Sequence, residues 1–205
     1  MNYFVTAIGT DSGKTLLSSI LVEALKADYW KPIQAGTPTD SDEVSKLVSN
    51  QITRIHTETH LLKMPASPHA AAKFEHRHIQ LDDFVLPETE NEIVIEGAGG
   101  VLVPLNQEDF VIDIAKTLDL EIILVANLYL GSINHTLLTV DYLKLNFIVP
   151  SKAQHLVQCP VLLHQCLFLV CGQSRIFLLL LSTFLSPFGY PQIYSVLLLF
   201  ESPFS

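Results

Sequence analysis

Along the first 146 positions, short and mostly apolar runs alternate with longer stretches in which apolar residues recur every three or four positions. The short runs are Tyr3 to Thr6, Tyr29 to Ile33, Ile93 to Ile95 and Ile122 to Ala126. Those near-continuous apolar segments predict strands of a parallel sheet covered on both faces. The periodic stretches predict helices. One starts at Lys14, with Leu16, Leu17, Ile20, Leu21 and Leu25 as its buried stripe. A second runs from Asp40 through Val48, a third is marked by Phe110, Ile114 and Leu118, and a fourth by Ile133, Leu137, Leu138 and Leu145 after Gly131-Ser132. Alternation of this kind predicts an α/β fold, a parallel sheet with helices on both faces. Ligands in such sheets sit at the carboxyl ends of the strands. The loop after Thr6, Lys31-Pro32, Glu96-Gly97 and the loop from Asn127 to Ser132 all fall there.

The first of those loops carries the sharpest chemistry. Tyr3 to Thr15 reads YFVTAIGTDSGKT and ends in Gly13-Lys14-Thr15. A glycine loop turns backbone N–H groups toward phosphate oxygens, a lysine reaches the β- and γ-phosphates, and a threonine hydroxyl sits on Mg²⁺. The helix that follows adds its positive dipole end. The spacing is a variant: Ile8 stands where the usual P-loop has glycine, and Gly9 follows it. With this loop, the expected fold becomes the three-layer α/β/α fold of P-loop NTPases.

At 205 residues the chain suits one α/β domain. A formal net charge of -9 argues against nucleic acid or an anionic membrane as partner. The start shows no basic, apolar leader, so a cytoplasmic protein is expected. Asn134-His135-Thr136 is then a chance match to a glycosylation sequon. Cys159, Cys166 and Cys171 have no metal-site spacing and imply no designed disulfide.

Character changes at about residue 146, dividing 1–146 from a tail, 147–205. After Pro150 only Lys152, Arg175 and Glu201 are charged, and the tail holds more than half of the phenylalanines. The longest uncharged run, Ile176 to Phe200, is broken by Pro187, Gly189 and Pro191 and does not make a bilayer-spanning helix. Translation in a shifted reading frame gives this composition. A genuine C-terminal element and a membrane-associated tail are the other readings.

Further motifs each carry two readings. Lys31, in KPIQAG, is either a solvated surface charge or a cation for a transferring phosphoryl group. Asp40-Ser41-Asp42 caps a helix or supplies a carboxylate to Mg²⁺. Glu96 ends a hydrophobic strand before Gly97-Ala98-Gly99-Gly100, as an acid of a metal shell or as an incidental residue of a glycine turn. Ser67-Pro68 reads as an N-cap with proline in the first turn. His56 and His60, four apart, lack a third metal ligand.

Together YFVTAIGTDSGKT, KPIQAG, the DSD of Asp40 to Asp42, SPHAAA, IEGAGGVLVPL and LGSINHTLLT resemble, in order, the motifs of the dethiobiotin synthetases, over about residues 1 to 145. Partitioning-type ATPases carry a lysine where this chain has Gly9, and lack SPHAAA. The resemblance implies a homodimeric, ATP- and Mg²⁺-dependent ligase of biotin synthesis. Such an enzyme joins CO2 (or bicarbonate) to 7,8-diaminopelargonate through a carbamate and a carbamic-phosphoric anhydride. It implies that Gly9, Asp11, Ser12, Gly13, Lys14, Thr15, Leu16, Glu96, Gly97 and Gly99 hold the nucleotide, and that Thr15, Asp42 and Glu96 form the Mg²⁺ shell. It assigns catalysis to Lys31, Lys14 and Thr10. The substrate contacts it implies are Lys31, Ala35, Ser67, His69, Gly99, Val101 and, across the dimer, Gly131, Ser132 and Asn134. Ala7 stands where many members have the first loop glycine, and Ala35 where some have a hydroxyl residue. The family's adenine-reading asparagine has no match after about Asn146.

Overall fold

The computed structural model describes residues 1–147 and, beyond them, the backbone of Gln165–Cys171, Ile176–Leu185 and Pro191–Leu198. Five parallel strands form the heart of the sheet: β1 (Tyr3–Ala7), β2 (Asp28–Trp30), β4 (Ile55–His56), β6 (Ile93–Glu96) and β7 (Glu121–Ala126). Their order is β7-β1-β6-β2-β4. At the β7 edge, β8 (Gln165–Cys171), β9 (Ile176–Leu185) and β10 (Pro191–Leu198) extend it as antiparallel strands. A separate parallel pair joins β3 (Ile33–Ala35) to β5 (His60–Leu62).

Strand pleating sorts the core into two layers. Phe4, Trp30, Ile95 and Leu124 face one side, with Val111, Ile114 and Val140. Val5, Tyr29, Val94 and Ile123 face the other, beneath α1 (Lys14–Leu25) and Val44 of α2 (Asp40–Leu47). Helices α3 (Pro68–Phe74), α4 (Asp113–Thr117) and α5 (Ser132–Phe147) complete the α-helices of the described residues, with one 3₁₀ turn at Leu81–Asp83. The parallel sheet with helices on both faces is therefore present. None of the helices among the described residues is long and apolar enough to cross a membrane.

Several expectations change in detail. The strand expected from Tyr29 to Ile33 splits at Lys31-Pro32. Proline has no N–H for a ladder, and the chain crosses to β5, where Pro32 O accepts His60 N–H at 3.0 Å. On α1, Leu17 is buried but Leu16 and Leu25 are exposed, and Ser18, Ser19 and Val22 are the other buried residues beyond Lys14. Small serines let this helix lie close on the sheet. The helix expected from Phe110 shortens, because Phe110 bridges to Pro104 and gives its N–H to Asp113 Oδ2 at 2.8 Å. On α5 the expected stripe faces outward: Ile133, Leu137, Leu138 and Leu145 are 61, 54, 62 and 84 % exposed, while Ser132, Val140 and Leu143 are buried. Thr39, not an aspartate, caps α2 by accepting Asp42 N–H at 3.1 Å. Ser67 precedes α3 but makes no side-chain cap bond. His56 Nε2 lies 2.9 Å from Asp28 Oδ2 and His60 Nε2 lies 3.0 Å from Asp83 Oδ2. The cysteines' chemistry and the adenine-reading position fall outside the described residues and side chains.

Candidate active site

β1 delivers the phosphate loop to the carboxyl edge of the sheet. Gly13 closes it at φ +92°, a left-handed conformation that a side chain makes costly, and α1 starts at the next residue. Inside the loop, Ser12 Oγ and Lys14 Nζ donate to Gly9 O at 3.1 and 3.4 Å. Burial, with Lys31 adding repulsion, pushes Lys14 below the ordinary lysine range. Lys14 makes no ion pair among the described residues, and a phosphate would supply a direct counter-charge to this buried ammonium. Thr10, Asp11 and Gly13 are exposed along the loop, and Thr15 is half-buried in the first turn of α1. Leu16 points outward.

A charged network lies beside it. Lys31 and Glu96 are 3 and 0 % exposed, so both depend on partners to stay ionised. Lys31 Nζ donates to Glu96 Oε1 and Gly97 O, each at 3.0 Å, and pairs with Asp40 Oδ2. Burial alone would lower this lysine, but Glu96 and Asp40 outweigh it and hold the group above its ordinary value. Thr15 Oγ1 also donates to Glu96 Oε1, at 3.0 Å, and Tyr29 Oη donates to Glu96 Oε2, at 3.0 Å. Burial first and Glu96 second raise the Tyr29 hydroxyl well above the usual range.

The structure thus brings Lys31, Glu96, Gly97 and Thr15 together. It puts Asp40, rather than Asp42, against Lys31; Asp42 is exposed two residues further along α2. Asp40 N–H donates to Gln34 Oε1 at 3.3 Å, which anchors the helix start to β3, where Ala35 is half-buried. Tyr29 was not legible from the sequence: a tyrosine in an apolar strand reads as core. The one usable signal was that β2 and β6, if adjacent, would bring it near Glu96.

Beyond Glu96 the glycine loop folds back on the phosphate loop. A Cβ on Gly99, which sits at φ +66°, would come within 2.8 Å of Val103 Cγ2; one on Gly100 would meet Ala7 O at 3.3 Å. Val101 is buried here. With Ile8, Gly9, Thr10, Leu102 and, from α5, Leu138, Thr139 and Tyr142, it lines a cavity of about 350 Å³. His69 N–H donates to Pro104 O at 3.3 Å, tying Ser67 and α3 to this loop. Gly131 (φ +104°) opens α5, with Ser132 buried and Asn134 exposed. Among the described residues, no hydrogen bond links positions 131–134 to Lys31, Glu96 or the phosphate loop.

Oxygen donors prevail at the centre: the Thr15 hydroxyl, the Glu96 carboxylate and the acids at the start of α2. That set fits Mg²⁺, which takes one or two carboxylates, keeps several waters and binds substrate phosphates.

Residues 1–153 match the family model described as an AAA domain. Over 144 residues the chain is 58% identical to the ATP-dependent dethiobiotin synthetase BioD of Cytophaga hutchinsonii, covering 69% of this chain and 70% of that protein. Against the protein of the same name from Christiangramia forsetii the identity is 52% over 145 residues, 70% of each. Against that of Paramagnetospirillum magneticum it is 44% over 143 residues, 69% of each. With these likenesses beside the phosphate loop and the Lys31–Glu96 network, the chain belongs to the family of ATP-dependent dethiobiotin synthetases.

Proposed function

We propose that this chain is a cytoplasmic ligase that uses ATP and Mg²⁺ to build dethiobiotin from 7,8-diaminopelargonate and CO2. One amine adds to CO2, losing a proton, and becomes a carbamate. A carbamate oxygen attacks the γ-phosphorus and ADP leaves, giving the carbamic-phosphoric anhydride. The second amine then attacks the carbonyl carbon, phosphate departs and the urea ring closes. The reaction needs positioning and charge neutralisation rather than a protein nucleophile.

The observation that carries this reading is a buried lysine held beside a phosphate loop by two carboxylates. Lys31 directs all three of its N–H donors to Glu96, Asp40 and Gly97. Asp40 is the most exposed of those partners. It is the one a carbamate or a transferring phosphoryl group would displace, so Lys31 would meet the anion already oriented and charged. Lys14 would bind the β- and γ-phosphates, with Thr10 beside them. When bound, Mg²⁺ supplies positive charge to the phosphate oxygens; Thr15, Glu96 and Asp42 would hold it, with Asp40 nearby.

Gly99, Val101, Ser67, His69 and Ala35 would border the diamine; of these, Val101 lines the cavity under α5. The substrate carboxylate would sit at Gly131, Ser132 and Asn134 of a second copy, drawn by the helix dipole. The outward apolar face of α5 supports that homodimer. The net charge of -9 supports neither a nucleic acid nor a membrane as partner.

For residues 147–205 we favour a shifted reading frame, because the family motifs end just before charged residues become scarce. The other frames of the coding DNA past Leu145 would restore an α/β continuation; their failure to do so would remove that reading.

Purified full chain, with its intact mass confirmed, should form dethiobiotin only when ATP, Mg²⁺, bicarbonate and the diamine are all present. ATP hydrolysis indifferent to the diamine would instead favour a related amidoligase or ATPase. An aggregating monomer without ATP-dependent thermal stabilisation would favour an inactive product.

A further inference from the structure

Tyr29 is fully buried, and the reaction as drawn gives it no part. Its neighbours explain why a tyrosine rather than a phenylalanine stands there. In the β2–β6 register Tyr29 lies opposite Val94. Glu96, two residues on, shares that face of the sheet under α1. With strands about 4.8 Å apart and a rise of about 3.3 Å per residue, such diagonal positions lie about 8 Å apart, within reach of a phenol. The hydroxyl duly donates to Glu96 Oε2, while Lys31 Nζ and Thr15 Oγ1 both use Oε1. Among the described residues Oε2 has no other donor. The two carboxylate oxygens are therefore divided: one is spent on the protein interior, the other on the residues of the phosphate site.

Without the phenol, Lys31 and Thr15 would still hold Oε1, but Oε2 would be left buried without a donor and the carboxylate freer to tilt about its broad terminal torsion. A tyrosine hydroxyl is an ordinary donor in the physiological range.

We propose that Tyr29 is a positioning residue: its hydroxyl pins Oε2 of Glu96 and so presents Oε1 to Thr15, Lys31 and the divalent cation that accompanies the nucleotide. This rests on the reading of Glu96 as part of the Mg²⁺ shell. A hydrogen bond to a charged group is worth enough that its loss should weaken cation binding about tenfold.

The test uses the full chain with a non-hydrolysable ATP analogue and Mn²⁺, the free Mn²⁺ being read by its electron paramagnetic resonance signal. Tyr29→Phe keeps the ring volume, and a thermal melt without nucleotide reports whether the variant is folded. The expected result is about tenfold weaker Mn²⁺ binding in Tyr29→Phe, with the effect shrinking below about twofold when Glu96→Gln is already present. Unchanged Mn²⁺ binding in Tyr29→Phe, or the same loss in both backgrounds, would make Tyr29 a core residue only and overturn the proposal. If Glu96→Gln itself leaves Mn²⁺ binding untouched, the reading of Glu96 falls, and the role of Tyr29 with it.

Discussion

At the phosphate end of the site, Lys31, Glu96, Thr15, Tyr29 and Asp40 satisfy one another within a single chain. At the α5 end, Ile133, Leu137 and Leu138 stand in solvent beside the cavity. The contrast follows from what each kind of residue costs when left alone. A buried charge without a partner costs several kcal/mol, so the ionic half must be complete in the monomer. An apolar face is tolerated in isolation and is best covered by a second apolar face. In the proposed homodimer, one half of the site would be built by the chain itself and the other completed by a second copy.

The largest expected effects fall on the self-contained half. Lys14→Ala and Lys31→Ala should each reduce dethiobiotin formation by at least about 10²–10³-fold, the cost of removing a charge-stabilising donor. Lys31→Ala should leave ATP binding, measured by calorimetry, largely intact, because Lys31 contacts Glu96, Asp40 and Gly97 rather than the phosphate loop. Turnover like the wild-type's in either variant would remove the role assigned to that lysine.

Next comes the half that awaits a partner. Leu137→Asp places a charge on the outward face of α5, and burying it unpaired should weaken self-association by about 3 kcal/mol, roughly a hundredfold. If that face is the interface, analytical ultracentrifugation should find the parent chain dimeric and Leu137→Asp monomeric. A dimer of unchanged strength would mean that this face is not the interface.

The smallest effect belongs to the scaffold, where α1 is clamped to the segment after α2. Glu23 on α1 accepts from Lys26 Nζ, from Ser49 N–H and Oγ, and from Asn50 N–H and Nδ2. Those donors, the Lys26 bond foremost, hold its carboxyl well below the ordinary value of 4.5. A depressed carboxylate contributes stability above its unfolded pKa and loses it as pH falls toward the folded one. Thermal melts should therefore fall off more gently below about pH 4.5 in Glu23→Gln than in the parent, with Mg²⁺ dependence of turnover unmoved. An identical acid limb in both would show that the clamp contributes nothing.

Much of the ionic half was readable from the chain, because Gly13-Lys14-Thr15, Lys31 and Glu96 each sit where an apolar run ends. Chemistry placed at a strand end leaves a local mark. Tyr29 leaves none, since its partner is 67 residues away and only strand order brings them together. The aspartates posed a different difficulty: Asp40 and Asp42 are equivalent in sequence, and the helix start alone decides that Asp40 meets Lys31. On α5 the periodicity marked the helix correctly but not its orientation. An apolar stripe destined for a core and one destined for a second copy have the same spacing. The split of the strand expected from Tyr29 to Ile33 was written in Pro32, whose missing N–H ends a ladder.

Everything rests on Lys31 serving a carbamate that attacks the γ-phosphate. Bicarbonate labelled with ¹⁸O tests that step directly, using the full chain with ATP, Mg²⁺ and 7,8-diaminopelargonate. Label should pass into the released inorganic phosphate in step with dethiobiotin formation, one oxygen per turnover, and Lys31→Ala should suppress both. Phosphate released without label while the diamine is consumed would contradict it, because ATP would then be cleaved by water and not by the carbamate.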